Sequence, residues 1–278
     1  MSTSPSPDET TLNATMEAAV PTALHLHARK TRGFDARVAH AVALLREAAE
    51  DHAGRIVQAS SLGVEGMVLT DMIARHGLPI AVATLDTGKL HAETLALVPR
   101  TERRYGVTIE VFRPKAESVL HFVRRHGEQA MFESVDLRQR CCELRKLEPM
   151  QRLLAGRSAW VTGLRREQSE HRASVPFFEI DREGREKFLP LADWSEADVW
   201  HYVATRDVPY NPLHDQFFPS IGCAPCTRAI SLGEDPRAGR WWWESENARE
   251  CGLHALPQQR GDQRANERPS QRAERVTA

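Results

Sequence analysis

The sequence predicts an α/β fold, a doubly wound and mostly parallel sheet flanked by helices. Two observations carry that prediction. Short apolar runs rich in β-branched residues recur through the middle of the chain, and the segments between them place apolar residues at i, i+3, i+4 spacing and close on glycine. No self-similar period points instead to a solenoid.

Taken in order, residues 1–32 are rich in Ser, Thr, Pro and Ala, show no sustained amphipathic period and read as a disordered N-terminal arm. The folded domain is expected over 33–244. Its strands are "RIVQAS" (55–60), "IAVATLD" (80–86), "VTIEVF" (107–112) and "AWVTG" (159–163). "EGMVLTDMIARHG", "HAETLALVPRTERRYG" and "KAESVLHFVRRHG" are the crossover helices, with Pro99 expected to kink or restart the second. A sheet of this kind binds ligands outside the carboxyl ends of its strands. After Asp181 "DREG" reads as a turn, and "SEADVWHYVATRD" as a helix capped by Ser195 with Asp198 as its reciprocal partner. The next stretch, "VPYNPLHDQFFPSIGCAPCTRAISL", is proline-rich and irregular, so something other than regular secondary structure must fix it. From Pro257 onward Val276 is the single aliphatic residue, and 257–278 reads as a disordered tail in which Gly261 and Pro269 interrupt the spacing of Arg260, Arg264, Arg268 and Arg272.

Composition limits the function classes. Of 278 residues, 41% are hydrophobic and 27% charged, an ordinary globular balance. A formal net charge of −1 exerts no global pull toward nucleic acid or an anionic membrane, so anion recognition must come from local arginines. No apolar run approaches the roughly 18 residues of a membrane span. The N-terminus also lacks the basic-then-apolar pattern of a secretion signal, and a cytoplasmic location is expected. Five cysteines, an odd number, argue against a disulfide scaffold and for metal or redox chemistry.

Cys223 and Cys226 form a C-x-x-C, which suits a zinc half-site, a redox pair or half of an iron–sulfur site. Cys141 and Cys142 supply two more thiols about 80 residues away. Neighbouring side chains on a helix diverge by about 100°, so both reach one small ion only if the backbone distorts. A cubane, whose corners stand several ångströms apart, suits such a pair better; zinc ligation and buried structural thiols stay open. Cys251, in "ARECGLH", is either an incidental thiol or a nucleophile. The basic "RAGRWWW" before it would favour a thiolate, and Glu250 would oppose one.

Six motifs now stand in order: "SSLGVEG", "LDTGKLHAET", "CCELRK", "IGCAPCTR", "RAGRWWW" and "ECGLH". From about Ala59 to His254 the chain resembles the adenosine 5′-phosphosulfate (APS) reductases, the iron–sulfur branch of the phosphoadenylyl-sulfate reductase family. That resemblance implies a fold of the adenine-nucleotide alpha-hydrolase-like (PP-loop) type and thioredoxin-dependent reduction of APS to sulfite and AMP. It implies one [4Fe–4S] cluster held by Cys141, Cys142, Cys223 and Cys226, and Cys251 as the nucleophile that becomes S-sulfocysteine. Residues 245–256 then form a mobile catalytic lid carrying ECGLH. Substrate would be bound by Ser60, Ser61, Leu62, Gly63 and Glu65, where the family's PP-loop falls, and by Leu85, Asp86, Thr87 and Gly88 around the adenosine. Lys146, Arg172, Arg237, Arg240 and His254 would gather about the sulfate. Gly66 stands where relatives usually have Asp. The reductant would be thioredoxin or a glutaredoxin-like protein, with no nucleic acid or membrane partner and a homo-oligomeric assembly.

The chemistry fits the residues, since thiolate attack on a sulfur bearing three oxygens needs guanidinium and ammonium groups to screen charge. Trp241, Trp242 and Trp243 read as packing of a lid helix, because three consecutive indoles cannot share one face. Arg165 and Arg166 fit substrate contacts or loop ion pairs equally, and His76, His121 and His126 are assigned no site. Other readings are reduction of 3′-phospho-APS, a PP-loop ATP pyrophosphatase or sulfur-insertion enzyme, and a zinc-binding nucleic-acid module.

Overall fold

The computed structural model describes residues 21–244. Strands β1 (Ile56–Ser60), β2 (Ala81–Leu85), β3 (Ile109–Phe112), β4 (Ala159–Val161), β5 (Phe178–Ile180) and β6 (Glu186–Phe188) form one sheet in the order β3-β2-β1-β4-β6-β5. Every neighbouring pair is parallel except β5–β6. The predicted doubly wound, mostly parallel sheet is therefore the architecture observed.

Helices are α1 (Ala23–His27), α2 (Phe34–Asp51), α3 (Val64–Arg75), α4 (Ala92–Tyr105), α5 (Ala116–His126), α6 (Val135–Cys142), α7 (Glu148–Leu154) and α8 (Glu196–Arg206). Alternation along the strands divides the core into two layers. Ile56, Ala159 and Val161 face α2, α3 and α8, where Leu45, Met67, Leu69 and Val203 lie buried. Val57, Ala83 and Trp160 face the other way onto Met150, Leu153 and Leu154 of α7. Both faces are covered, as a parallel sheet requires.

Asp71, wholly buried, pins three helices together: it accepts from Arg75 Nε (2.7 Å), Tyr105 OH (2.9 Å) and Tyr202 OH (2.9 Å). The expected capping box of α8 is present, with Ser195 Oγ accepting from Asp198 N and Asp198 accepting from Ser195 N. No helix among the described residues is long and apolar enough to cross a membrane.

Three expectations need correction. The arm predicted over 1–32 overlaps ordered structure: Thr22 caps α1, Ala23 is buried and its N–H donates to Asp215 at 2.8 Å. A five-residue helix is too short to register as a period. Pro99 does not restart α4, which runs through it. Pro99 lies on the exposed face, where water can serve the carbonyl that loses its N–H partner. Finally, Trp241–Trp243 stand in a turn rather than a helix, with Trp241 buried at a φ of +44°. The lid expected over 245–256 and the tail expected over 257–278 lie outside the described residues.

Candidate active site

The reversal of strand order beside β1 opens a cavity of about 480 Å³ at the carboxyl ends of β1, β2 and β4. One wall is the turn from β1 into α3. Ser60 Oγ accepts from Leu62 N at 3.1 Å, and Ser61 Oγ from Gly63 N at 3.4 Å. Leu62 is held at a φ of +58° with its side chain 1% exposed, so the core anchors a strained loop. Gly63 caps α3 without a side-chain oxygen, which leaves first-turn N–H groups for an anion. Gly66 is close-packed, since a Cβ there would sit 2.7 Å from Ser60 Oγ.

Glu65 Oε1 accepts from Arg165 Nε and Gln168 Nε2, both at 3.0 Å. Burial pushes its carboxyl up, but the Arg165 guanidinium and the Gln168 hydrogen bond outweigh this and hold it below the usual range. Arg165 is itself fixed by Glu167 (3.0 Å) and the Trp194 carbonyl (3.2 Å). Glu65 therefore braces the loop.

The opposite wall is cationic, with Lys146, Arg172, Arg237 and Arg240 all lining the cavity. Arg172 donates to Gln168 Oε1 at 2.7 Å, and Arg240 to Ser220 Oγ at 3.1 Å. Gly222 lets the Arg240 guanidinium lie against the backbone, as a Cβ would come within 2.6 Å of it. The Trp241 indole is a common platform, 4.6 Å from Arg240 Cζ, 4.9 Å from Arg138 Cζ and 5.9 Å from Lys146 Nζ.

Beneath this wall Cys141, Cys142, Cys223 and Cys226 ring a second, small cavity with Lys89, Arg138, Arg145 and Lys146. Cys141 and Cys142 close α6 in ordinary helical backbone, and the chain passes from there directly into a π turn, Glu143–Leu147. The C-x-x-C loop is tied to the end of β2: Ala224 N donates to the Lys89 carbonyl at 2.7 Å, and Thr87 Oγ1 lies 3.2 Å from Cys223 Sγ. Arg145 donates to the Thr87 carbonyl at 2.8 Å, locking the π turn to the same loop. Burial pushes the Cys226 thiol up to about 12 and raises that of Cys141, against which Arg145 pulls. Such thiols ionise only when positive charge is supplied to them. Among the described residues no three His, Cys, Asp or Glu side chains are placed to hold a single metal ion.

Of the predicted substrate residues, Ser60, Ser61, Gly63, Glu65, Leu85, Thr87, Lys146, Arg172, Arg237 and Arg240 line the large cavity. Leu62, Asp86 and Gly88 do not. Leu62 points into the core, and Asp86 is taken by Arg113 Nε and Gly88 N, both at 3.0 Å. Cys251 and His254 lie outside the described residues. Arg165, Gln168 and Gly163 carry no site assignment from the sequence: a Cβ on Gly163 would approach Glu65 Cβ to 2.7 Å, so that glycine seats α3 against the strand end. Thr94, the last residue of "LDTGKLHAET", also lines the cavity without a site assignment from the sequence, as do Trp160 and His214.

Comparison with known proteins is consistent with this geometry. Residues 55–229 match the family described as the phosphoadenosine phosphosulfate reductase domain. A protein from Allochromatium vinosum named adenosine 5′-phosphosulfate reductase is 55% identical over 219 residues, 78% of this chain and 85% of its own length. One of the same name from Burkholderia cepacia is 51% identical over 240 residues, covering 86% and 93%. Among solved structures, the phosphoadenylyl-sulfate reductase of Candida auris in its phosphate complex superposes with a TM-score of 0.57 at 29% identity, over 71% of this chain and 97% of that one.

Proposed function

The chain belongs to the phosphoadenosine phosphosulfate reductase family, and from that premise we propose that it reduces adenosine 5′-phosphosulfate to sulfite and AMP in assimilatory sulfate reduction. One observation carries the reading: Lys146 and Cys223 line both the nucleotide-sized cavity and the thiol ring, so substrate sulfate and thiols would be neighbours.

The turn 60–63 and the first turn of α3 receive the ester phosphate, and Leu85 and Thr87 border the adenosine. Lys146, Arg172, Arg237 and Arg240 hold the sulfate and spread its charge. Cys251 attacks the substrate sulfur, the S–O bond to AMP breaks, and the enzyme carries S-sulfocysteine, with His254 beside the sulfate. A thioredoxin-type dithiol then supplies two electrons, leaving as its disulfide while sulfite departs and the Cys251 thiol is restored. Cys251 is seven residues beyond Glu244, a chain reach of at most about 25 Å. Glu244 is fixed by a buried bidentate pair with Arg138, at 2.9 and 2.8 Å, on the helix that carries Cys141 and Cys142.

The four thiols fit a [4Fe–4S] cluster by donor chemistry, being soft, buried and surrounded by Lys89, Arg138, Arg145 and Lys146, whose charge offsets the thiolates. When bound, the cluster supplies a fixed electrostatic field beside the sulfate subsite. Residues 245–256 act as the lid, and the working form is a cytoplasmic homo-oligomer.

The test is anaerobic incubation with sulfur-labelled APS or its 3′-phosphorylated form. Label is expected on Cys251 with APS, released by reduced thioredoxin and absent from Cys251→Ser. Label elsewhere, or normal turnover of that variant, would refute the mechanism. A colourless anaerobic preparation, instead of a brown one that Cys223→Ser bleaches, would refute the cluster.

A further inference from the structure

We propose that an exposed aromatic patch, built by Phe132, Val135 and Trp242, is the surface on which the thioredoxin-type dithiol protein docks. The inference rests on the thioredoxin-dependent reading above and supplies the contact surface which that reading leaves open.

The three consecutive tryptophans have different surroundings. Trp241 is buried, Trp243 half-buried and Trp242 37% exposed. A residue with a Cβ holds the left-handed backbone of Trp241 only where its surroundings fix it, and here the core around Cys141, Cys223 and Cys226 takes the indole. Trp243 packs against that same core and stands edge-on to Trp242, with ring centroids 4.7 Å apart at 88°. Phe132 completes the cluster, 4.5 Å from Trp243 and 6.3 Å from Trp242 between ring centroids. Phe132 and Val135 are 39 and 37% exposed and flank the cap of α6, where Ser134 Oγ accepts from Leu137 N at 3.2 Å. Next along the chain, Glu244 is locked to Arg138 of α6 by two hydrogen bonds. The patch is therefore held in place before any partner arrives, which lowers the ordering cost of binding.

Two facts select the occupant. Cys251 follows Trp242 by nine residues, so it cannot lie more than about 32 Å from the patch. A globular protein of about 100 residues has a radius of gyration of about 13 Å, and one that engages Cys251 can rest on the patch at the same time. The second fact is area. Three side chains little more than a third exposed offer on the order of 200 Å² of apolar surface, rimmed by exposed Glu133, Asp136 and Gln139. An obligate dimer buries about 2,000 Å² or more, largely apolar, whereas redox encounters are small and transient interfaces centre on a few aromatic residues. The reductant must also leave after every turnover. One thiolate of the docked partner attacks Cys251 Sγ, and sulfite departs with the electron pair of the bond to the sulfo group. The partner's second thiol then breaks the mixed disulfide, Cys251 recovers its thiol, and the partner leaves oxidised.

Steady-state reduction of APS by the full-length holoenzyme decides the point, measured with reduced thioredoxin and separately with dithiothreitol, which needs no docking surface. The expected result is at least a tenfold fall in kcat/KM for thioredoxin in Trp242→Ala and in Phe132→Ala, partly recovered in Trp242→Phe. Turnover with dithiothreitol should change less than twofold in all three. Unchanged kcat/KM for thioredoxin would mean that the partner docks elsewhere, and equal losses with both reductants would mean that the rings seat the segment carrying Cys251. Sedimentation in which Trp242→Ala forms a smaller assembly than wild type would give the patch to a second copy of the chain. Any of these three results overturns the proposal. Wild-type enzyme that turns over with dithiothreitol but not with thioredoxin would overturn the thioredoxin reading itself, and this proposal with it.

Discussion

His214, 7% exposed in the 3₁₀ turn Pro212–Gln216, makes the fold sensitive to acid. Burial lowers its pKa from the ordinary 6.5 to about 4, so as pH falls through this interval the unfolded chain takes up a proton that the folded chain refuses. Stability contributed by the neutral ring is complete above pH 6.5 and is lost as pH drops toward 4. A gap of about 2.5 pH units, at roughly 1.4 kcal/mol each, gives a loss on the order of 3 kcal/mol. The assay is urea unfolding of wild type and His214→Phe between pH 7.5 and 4.5. Phenylalanine does not titrate, so the variant should lose about 2–3 kcal/mol less than wild type over that range. Glu65 and Asp198, whose carboxyls are held low, lose their contribution only below the usual carboxylate range and do so in both proteins. Parallel stability curves would refute the claim that the ring is buried uncharged.

Two substitutions probe the scaffold of the site. Gly163→Ala drives a methyl to 2.7 Å from Glu65 Cβ and 3.2 Å from its carbonyl carbon, so it should cost about 1–3 kcal/mol in unfolding free energy and weaken AMP binding by displacing the first turn of α3; a variant with wild-type affinity would show that the turn has slack. Glu244→Ala leaves the Arg138 guanidinium, 1% exposed, without its carboxylate, and about 3–5 kcal/mol should be lost in chemical denaturation. A loss under 1 kcal/mol would mean that water reaches Arg138.

Features legible in the sequence are local ones. The strands at 55–60 and 80–86, the helices between them and the Ser195–Asp198 box depend on residues within a few positions of one another. β5 and β6 have three residues each, too few for alternation to show, although the "DREG" between them reads as the turn it is. α2 does carry the signal, in Phe34, Val38, Ala41, Leu45 and Ala48, and the prediction passes over it by assigning no element before Arg55. In the site, motifs locate the cavity-lining cations and the thiols, because spacing in the chain and chemistry go together there. The Glu65–Arg165 pair joins residues 100 positions apart, and His214 sits in a segment without periodicity; only the fold brings either to the cavity. Leu62 belongs to the expected loop but not to the expected role, since its left-handed backbone turns the side chain inward.

The π turn at Glu143–Leu147 carries one residue more than an α-helical turn, and its width absorbs the surplus. A turn closed by i→i+5 bonds rotates the chain by nearly the same amount as an α-helical turn one residue shorter, so α6 and α7 keep the phase of one continuous helix. Deleting one residue of the five that makes no contact in the site should therefore give a folded protein whose Cys141 and Cys142 keep their angular position relative to Met150, Leu153 and Leu154. A single-codon insertion in α6 or α7 has no such slack, and would turn the thiols against the sheet-bound face of α7 by about 100°.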